Sequence, residues 1–116
     1  MLAELASLDV GDHERWGGKA VGLARLVHAG LPVPRGFALS VAAWRAFVRH
    51  NCLEGDAETM RRGTLAGRLP AELAGRIRQA AGGLGERLVV RSSAVDEDGA
   101  ERSFAGQYLT VLNVRP

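Results

Sequence analysis

Apolar positions along this chain fall into helical and strand patterns separated by Gly and Pro signals. Ala20, Leu23, Ala24 and Val27 stand at i, i+3, i+4 and i+7, one face of a helix that opens at Gly17-Gly18 and stops at Gly30, with Pro32 beyond. Leu31 to Gly36 carries two prolines and reads as extended, since each proline turns its predecessor away from helix. Phe37-Ala38-Leu39 then reads as a short buried strand. Ser40 is the expected N-cap of a second helix, in which Val41, Trp44 and Val48 share a face, Phe47 widens it, and His50-Asn51 ends it.

From Cys52 to Leu69 the periodicity fades. Glu54-Gly55-Asp56 reads as a turn and Ala57 to Arg62 as one or two helical turns, while Gly63 and Gly67 predict a mobile connection. Pro70 suits the first position of a further helix, with Leu73, Ile77 and Ala80 on one face and Gly82-Gly83 at its end. Leu88-Val89-Val90 and Leu109 to Val114 are the clearest strands, and Met1 to Asp12 is a short strand or a leading loop. The expected class is α/β, with helices packed on one small mixed sheet.

Composition narrows the function classes. At 116 residues this is one domain or part of one, and a 47% hydrophobic content suits a packed core. The formal net charge of +2 and the scattered arginines argue against a nucleic-acid partner, although the pI is about 9.3. No apolar run approaches a membrane span, and the acidic N-terminus lacks the basic start of a signal peptide. Cys52 is the only cysteine, which rules out an internal disulfide or a thiolate metal cluster and implies a cytoplasmic setting.

Two stretches carry candidate chemistry. Between Leu88 and Val114, an arginine and two serines end one strand, and the small-residue loop Ser103 to Gln107 precedes the next. Arg91, nearby hydroxyls and the amides around Gly106 could together hold a phosphate, because backbone N–H groups reach an anion where no bulky side chain intervenes. The second stretch is Gly17-Gly18-Lys19. Among fifteen basic residues Lys19 is the lone lysine, and it falls in the first turn of the predicted helix. Unpaired amides and the positive end of the macrodipole favour an anion there.

Each stretch also has a plainer reading. An isolated Gly-Gly-Lys more often marks a surface turn with a solvated lysine, and the Walker spacing is absent. Arg91 could instead pair with Asp96, Glu97 or Asp98. That acidic cluster, with Glu101, fails the calcium-loop template and reads as a solvated loop, so no metal site is expected. Neither Ser92 nor Ser93 sits in a nucleophile elbow. His13, His28 and His50 show no ligand or general-base spacing.

Taken together, GGKAVGLARLVHAGLPVPRGFALS and VVRSSAVDEDGAERSFAGQYLTVLNV resemble the start of the phosphoenolpyruvate synthase and pyruvate phosphate dikinase family. Rifampicin phosphotransferases share this start. The resemblance implies that residues 1–116 form the N-terminal lobe of an ATP-grasp-like nucleotide-binding domain. It implies ATP as ligand, with Lys19 on the phosphates, Arg91 holding phosphate oxygens from the other side, and a loop of Ser103, Ala105, Gly106 and Gln107 over them. Ala94-Val95-Asp96-Glu97-Asp98 matches the family's usual stretch after the serines only in part, and Leu109 stands where a polar or acidic residue is common.

The family's second lobe, whose side chains hold magnesium and adenine, has no counterpart here, nor do its phosphohistidine domain and pyruvate-binding barrel. The implied function is the ATP-binding portion of a phosphotransferase that passes a phosphoryl group from ATP to histidine and then to pyruvate. In the sister branch the acceptor is an antibiotic hydroxyl. This chain alone is not expected to complete the reaction. The competing class is a non-catalytic module that binds a phosphorylated ligand or a partner protein.

Overall fold

The computed structural model describes residues 1–94 and 110–116. Its first layer is a two-stranded antiparallel ribbon of β1 (Leu2–Glu4) and β2 (Phe37–Leu39), with Ala3 opposite Ala38. A single 3-10 turn, Leu5–Ser7, leads from β1 towards α1 (His13–Trp16) and α2 (Gly18–His28). The Leu5 amide donates to the Gly36 carbonyl and ties the incoming chain to the proline segment. The core gathers here: Leu5, Leu8, Trp16, Ala20, Val21, Ala24 and Ala38 are all buried, and Leu8 and Val21 are the largest fully enclosed side chains. Small alanines on α2 let that helix lie close to the turn and the ribbon, which is why so few aromatics suffice.

The predicted α2 matches the observed helix, including its stop before Gly30. The face is rotated slightly, since Val21, absent from the predicted stripe, is the most enclosed residue while Leu23 and Val27 are half-buried. At its end His28 Nε2 lies 3.0 Å from the Ala6 carbonyl, so this histidine fastens the helix to the 3-10 turn.

Strand β2 runs into α3 (Val41–His50). Here the inward face is Ala43 and Phe47, and Trp44 is 46% exposed. Trp44 stacks on Phe47 at 5.7 Å between centroids and covers it from outside instead of entering the core. The one or two helical turns expected over Ala57 to Arg62 are present and run on through Gly63, expected to begin a mobile connection, as α4 (Ala57–Ala66). Asp56 caps it by accepting from the Thr59 amide at 2.8 Å, which holds the Asp56 carboxyl below the usual carboxylate range. Gly63 lies inside this helix because a Cβ there would meet the Leu53 side chain, so it is a packing glycine and not a break. The Asn51 side chain amide, donating to the Arg68 carbonyl and accepting from the Arg68 amide, clasps the end of α3 to the end of α4. Helix α5 (Ala71–Gly82) follows, with Pro70 as its N-cap and Leu73 and Ala81 buried.

The last pair, β3 (Leu88–Arg91) and β4 (Thr110–Val114), is antiparallel and separate from β1–β2. The α/β class is as expected, but the described strands form two ribbons and not one mixed sheet. The hydrophobic pattern could locate each strand, yet pairing is decided by which edges the helices leave open. Both faces of the second ribbon are uncovered: Val89, Val90, Val111 and Leu112 are between 40% and 64% exposed.

Ser40 occupies the expected N-cap position without acting as a cap, since its hydroxyl is buried and finds no hydrogen-bond partner. A buried unpaired hydroxyl costs about 1–3 kcal/mol. Ser40→Ala is therefore expected to leave stability unchanged or raise it, read by urea unfolding, where loss of a working cap would lower it by about 1 kcal/mol.

Candidate functional site

The junction of α1 and α2 is where the two candidate stretches meet. Asp12 caps α1 by accepting from the Arg15 amide at 3.1 Å, and the chain reverses at Gly17 before α2 begins. Gly17 has φ 84° and ψ 160°, a region that only glycine enters without cost. It is also the N-cap of α2, and it has no side chain to satisfy that helix's first amides.

Those amides are satisfied from 73 residues away. The Ala20 amide donates to Ser93 Oγ at 2.9 Å, and the Ser93 hydroxyl donates to the Trp16 carbonyl, also at 2.9 Å. The Gly18 amide donates to the Ala94 carbonyl at 2.8 Å. Ser93 thus performs, from a distant segment, the task an N-cap serine normally performs from within its own chain turn. Gly17 leaves it room: a Cβ on Gly17 would overlap the Ser93 carbonyl and sit 2.6 Å from Ser93 Oγ.

Lys19 is half-buried between Gly18 and Ala20, the two residues whose amides take up Ala94 and Ser93. Arg91 is exposed at the end of β3, two residues before Ser93. The backbone segments that carry these two cations are therefore stitched together by three hydrogen bonds. The amides of Gly18 and Ala20, expected to be open to an anion, are instead used to hold Ser93 and Ala94. Ser103, Ala105, Gly106 and Gln107, the expected loop over the phosphates, lie outside the described residues.

Sequence reasoning considers the Ser93 hydroxyl as a phosphate contact or a nucleophile and misses its role as a helix cap. A usable signal was present: a glycine N-cap leaves its helix without a side-chain acceptor, so another segment must supply one. Around the junction, Arg15 lies over the Trp16 ring at 5.1 Å from its centroid, and Arg25 reaches His13 Nε2 at 3.5 Å. Two open depressions, of about 490 Å³ at Cys52–Gly63 and about 360 Å³ at Glu86, Arg87 and Arg115, are lined by neither Lys19 nor Arg91. Among the described residues no three His, Cys, Asp or Glu side chains gather as a metal-holding group. No helix among them is long and apolar enough to cross a membrane.

The glycine turn that carries Lys19 and the strand end that carries Arg91 are thus latched side by side through Ser93 and Ala94. Residues 13–116 match the model of the pyruvate phosphate dikinase AMP/ATP-binding domain, and the chain belongs to that family. It is 41% identical to the prodigiosin synthesizing transferase PigC of Serratia marcescens, over 99% of this chain and 14% of the relative. It is 36% identical to the phosphoenolpyruvate synthase of Deinococcus radiodurans, over 99% of this chain and 18% of the relative. An uncharacterized phosphotransferase of Bacillus subtilis, YvkC, is 36% identical over 85% of this chain and 12% of its own length. The chain thus spans less than a fifth of the length of these relatives.

Proposed function

We propose that this chain supplies the phosphate-gripping part of an ATP site in a longer cytoplasmic phosphotransferase. Lys19 contacts the polyphosphate from the first turn of α2. Arg91 holds its oxygens from the end of β3, where a guanidinium offers a two-pronged fork of donors. Ser103, Ala105, Gly106 and Gln107 close over the phosphates, with the Gly106 amide as a donor. The observation that carries this reading is the Ser93–Ala94 stitch, which ties the Lys19 turn to the Arg91 strand across 73 residues of sequence. Phosphoryl transfer asks mainly for charge neutralisation and positioning, and both residues are cations suited to that task.

Residues 1–116 are in this reading one lobe of the nucleotide-binding domain. In this reading the ligands of a magnesium ion and the contacts to adenine come from a second lobe elsewhere in the protein. The uncovered β3–β4 ribbon supports this, since exposed valines and a leucine on both faces suit burial by more of the same domain. The acceptor is chosen elsewhere too. Relatives named as phosphoenolpyruvate synthases and as a prodigiosin synthesizing transferase share this stretch, which fits a common nucleotide step followed by different acceptors. A phosphohistidine domain and pyruvate are the partners expected in the phosphoenolpyruvate synthase branch.

Calorimetric titration of the full-length protein with ATP, AMP and adenosine tests the reading. ATP should bind at least about tenfold more tightly than adenosine, a difference of about 1.4 kcal/mol. Equal affinity for the two would mean that no phosphate grip exists.

A further inference from the structure

We infer that Ser93 is a positioning residue for nucleotide binding, whose hydroxyl sets the first turn of α2 and with it the direction of Lys19. The inference rests on the nucleotide reading above and goes beyond it, because Ser93 acts through the backbone that carries Lys19. Three observations converge on it. Its Oγ both accepts from the Ala20 amide and donates to the Trp16 carbonyl, so a single hydroxyl spans the end of α1 and the start of α2. The intervening Gly17 holds a backbone conformation that leaves the hydroxyl its space. The buried Trp16 and Ala20 anchor both ends of that span in the core, so the turn has little freedom to drift while the hydroxyl is present.

Lys19 lies inside this clasp, one residue before the amide that Ser93 receives. Arg91 lies two residues before Ser93 on the other segment. The hydroxyl is thus one mechanical link between the two cationic arms, beside the Gly18–Ala94 backbone bond. Without it, the Ala20 amide loses its acceptor, the first turn of α2 frays, and the Lys19 ammonium samples more directions. A fixed charge binds polyphosphate better than a wandering one because less freedom is lost on binding. The hydroxyl is not a nucleophile in this role, since its proton is held by the Trp16 carbonyl and no base stands to take it among the bonds shown.

A double-mutant cycle on ATP affinity in the full-length protein separates this from a purely structural role. Ser93→Ala is expected to weaken ATP binding about fivefold, and Lys19→Ala, worth about tenfold in the parent protein, should cost less than about threefold in the Ser93→Ala background. Ser93→Thr, which keeps the hydroxyl, should restore most of the affinity, and the Ala20 amide should exchange faster with solvent in Ser93→Ala alone. If Ser93→Ala does not fold, Ser93→Cys carries the same comparison, with similar shape and a weak donor. A Lys19→Ala effect that persists undiminished without the serine hydroxyl overturns the positioning role and leaves the nucleotide reading intact. A Lys19→Ala variant with unaltered affinity in the parent protein also overturns the positioning role, and unaltered affinity in Arg91→Ala as well removes the nucleotide reading itself.

Discussion

Replacing Lys19 or Arg91 by alanine should each weaken ATP binding by the full-length protein about tenfold or more, with the circular dichroism spectrum unchanged. A charge-assisted contact to a phosphate oxygen is worth about 1.5–3 kcal/mol, and tenfold is the lower end of that range. The fold should survive because neither side chain is part of the core: Lys19 is half-buried at the rim of the junction, and Arg91 is exposed. The two losses should also depend on salt differently. Arg91, in open solvent, is screened at physiological ionic strength more than Lys19 beside the buried end of α2. Raising the salt should therefore shrink the Arg91→Ala effect first. Unaltered affinity in both variants would overturn the assignment.

The largest loss of stability is expected from Gly17→Ala, a change of one methyl group. The conformation at φ 84° and ψ 160° costs a non-glycine residue about 1–3 kcal/mol. The new Cβ also lands on Ser93, whose carbonyl and hydroxyl occupy that space, and overpacking of this kind costs a further 1–3 kcal/mol, roughly. The sum, about 2–6 kcal/mol, is a large part of what a domain of this size has to spare. It should appear as a fall in the thermal midpoint of more than about 8 °C. By contrast, Gly22 faces open space in the middle of α2, so Gly22→Ala should be neutral or slightly stabilising. A Gly17→Ala variant as stable as Gly22→Ala would show that Ser93 is not seated against this turn.

The contrast between these two glycines illustrates what could be read in advance. Both stand near one another in the same sequence neighbourhood, and composition cannot rank them. The extent of α2 followed from its period and its glycine and proline stop signals, because those act through the local backbone. The strand Phe37–Leu39 was legible for the same reason. The spacing puts Trp44 on one stripe of α3 with Val41, Val48 and Phe47, but the helix turns Ala43 and Phe47 inward, where the small Ala43 allows close approach. Gly67 does end α4 as its C-cap, but Gly63 lies inside the helix, where the lack of a Cβ leaves room for the Leu53 side chain.

The sequence by itself determined that this chain is an α/β nucleotide-binding domain of the pyruvate phosphate dikinase type, since its motifs and periodic faces are local features that each segment carries alone. It also singled out Lys19 and Arg91, whose residue types suit phosphate whatever the fold around them. Only the tertiary structure decided that Ser93 caps a helix begun 75 residues earlier, that the Gly18 and Ala20 amides of that helix are bonded to protein, and that the described strands form two ribbons. The physical reason is that hydrogen-bond partners and exposed edges are properties of what is adjacent in space. A glycine cap records only that a partner is needed, and the folded chain alone supplies its identity.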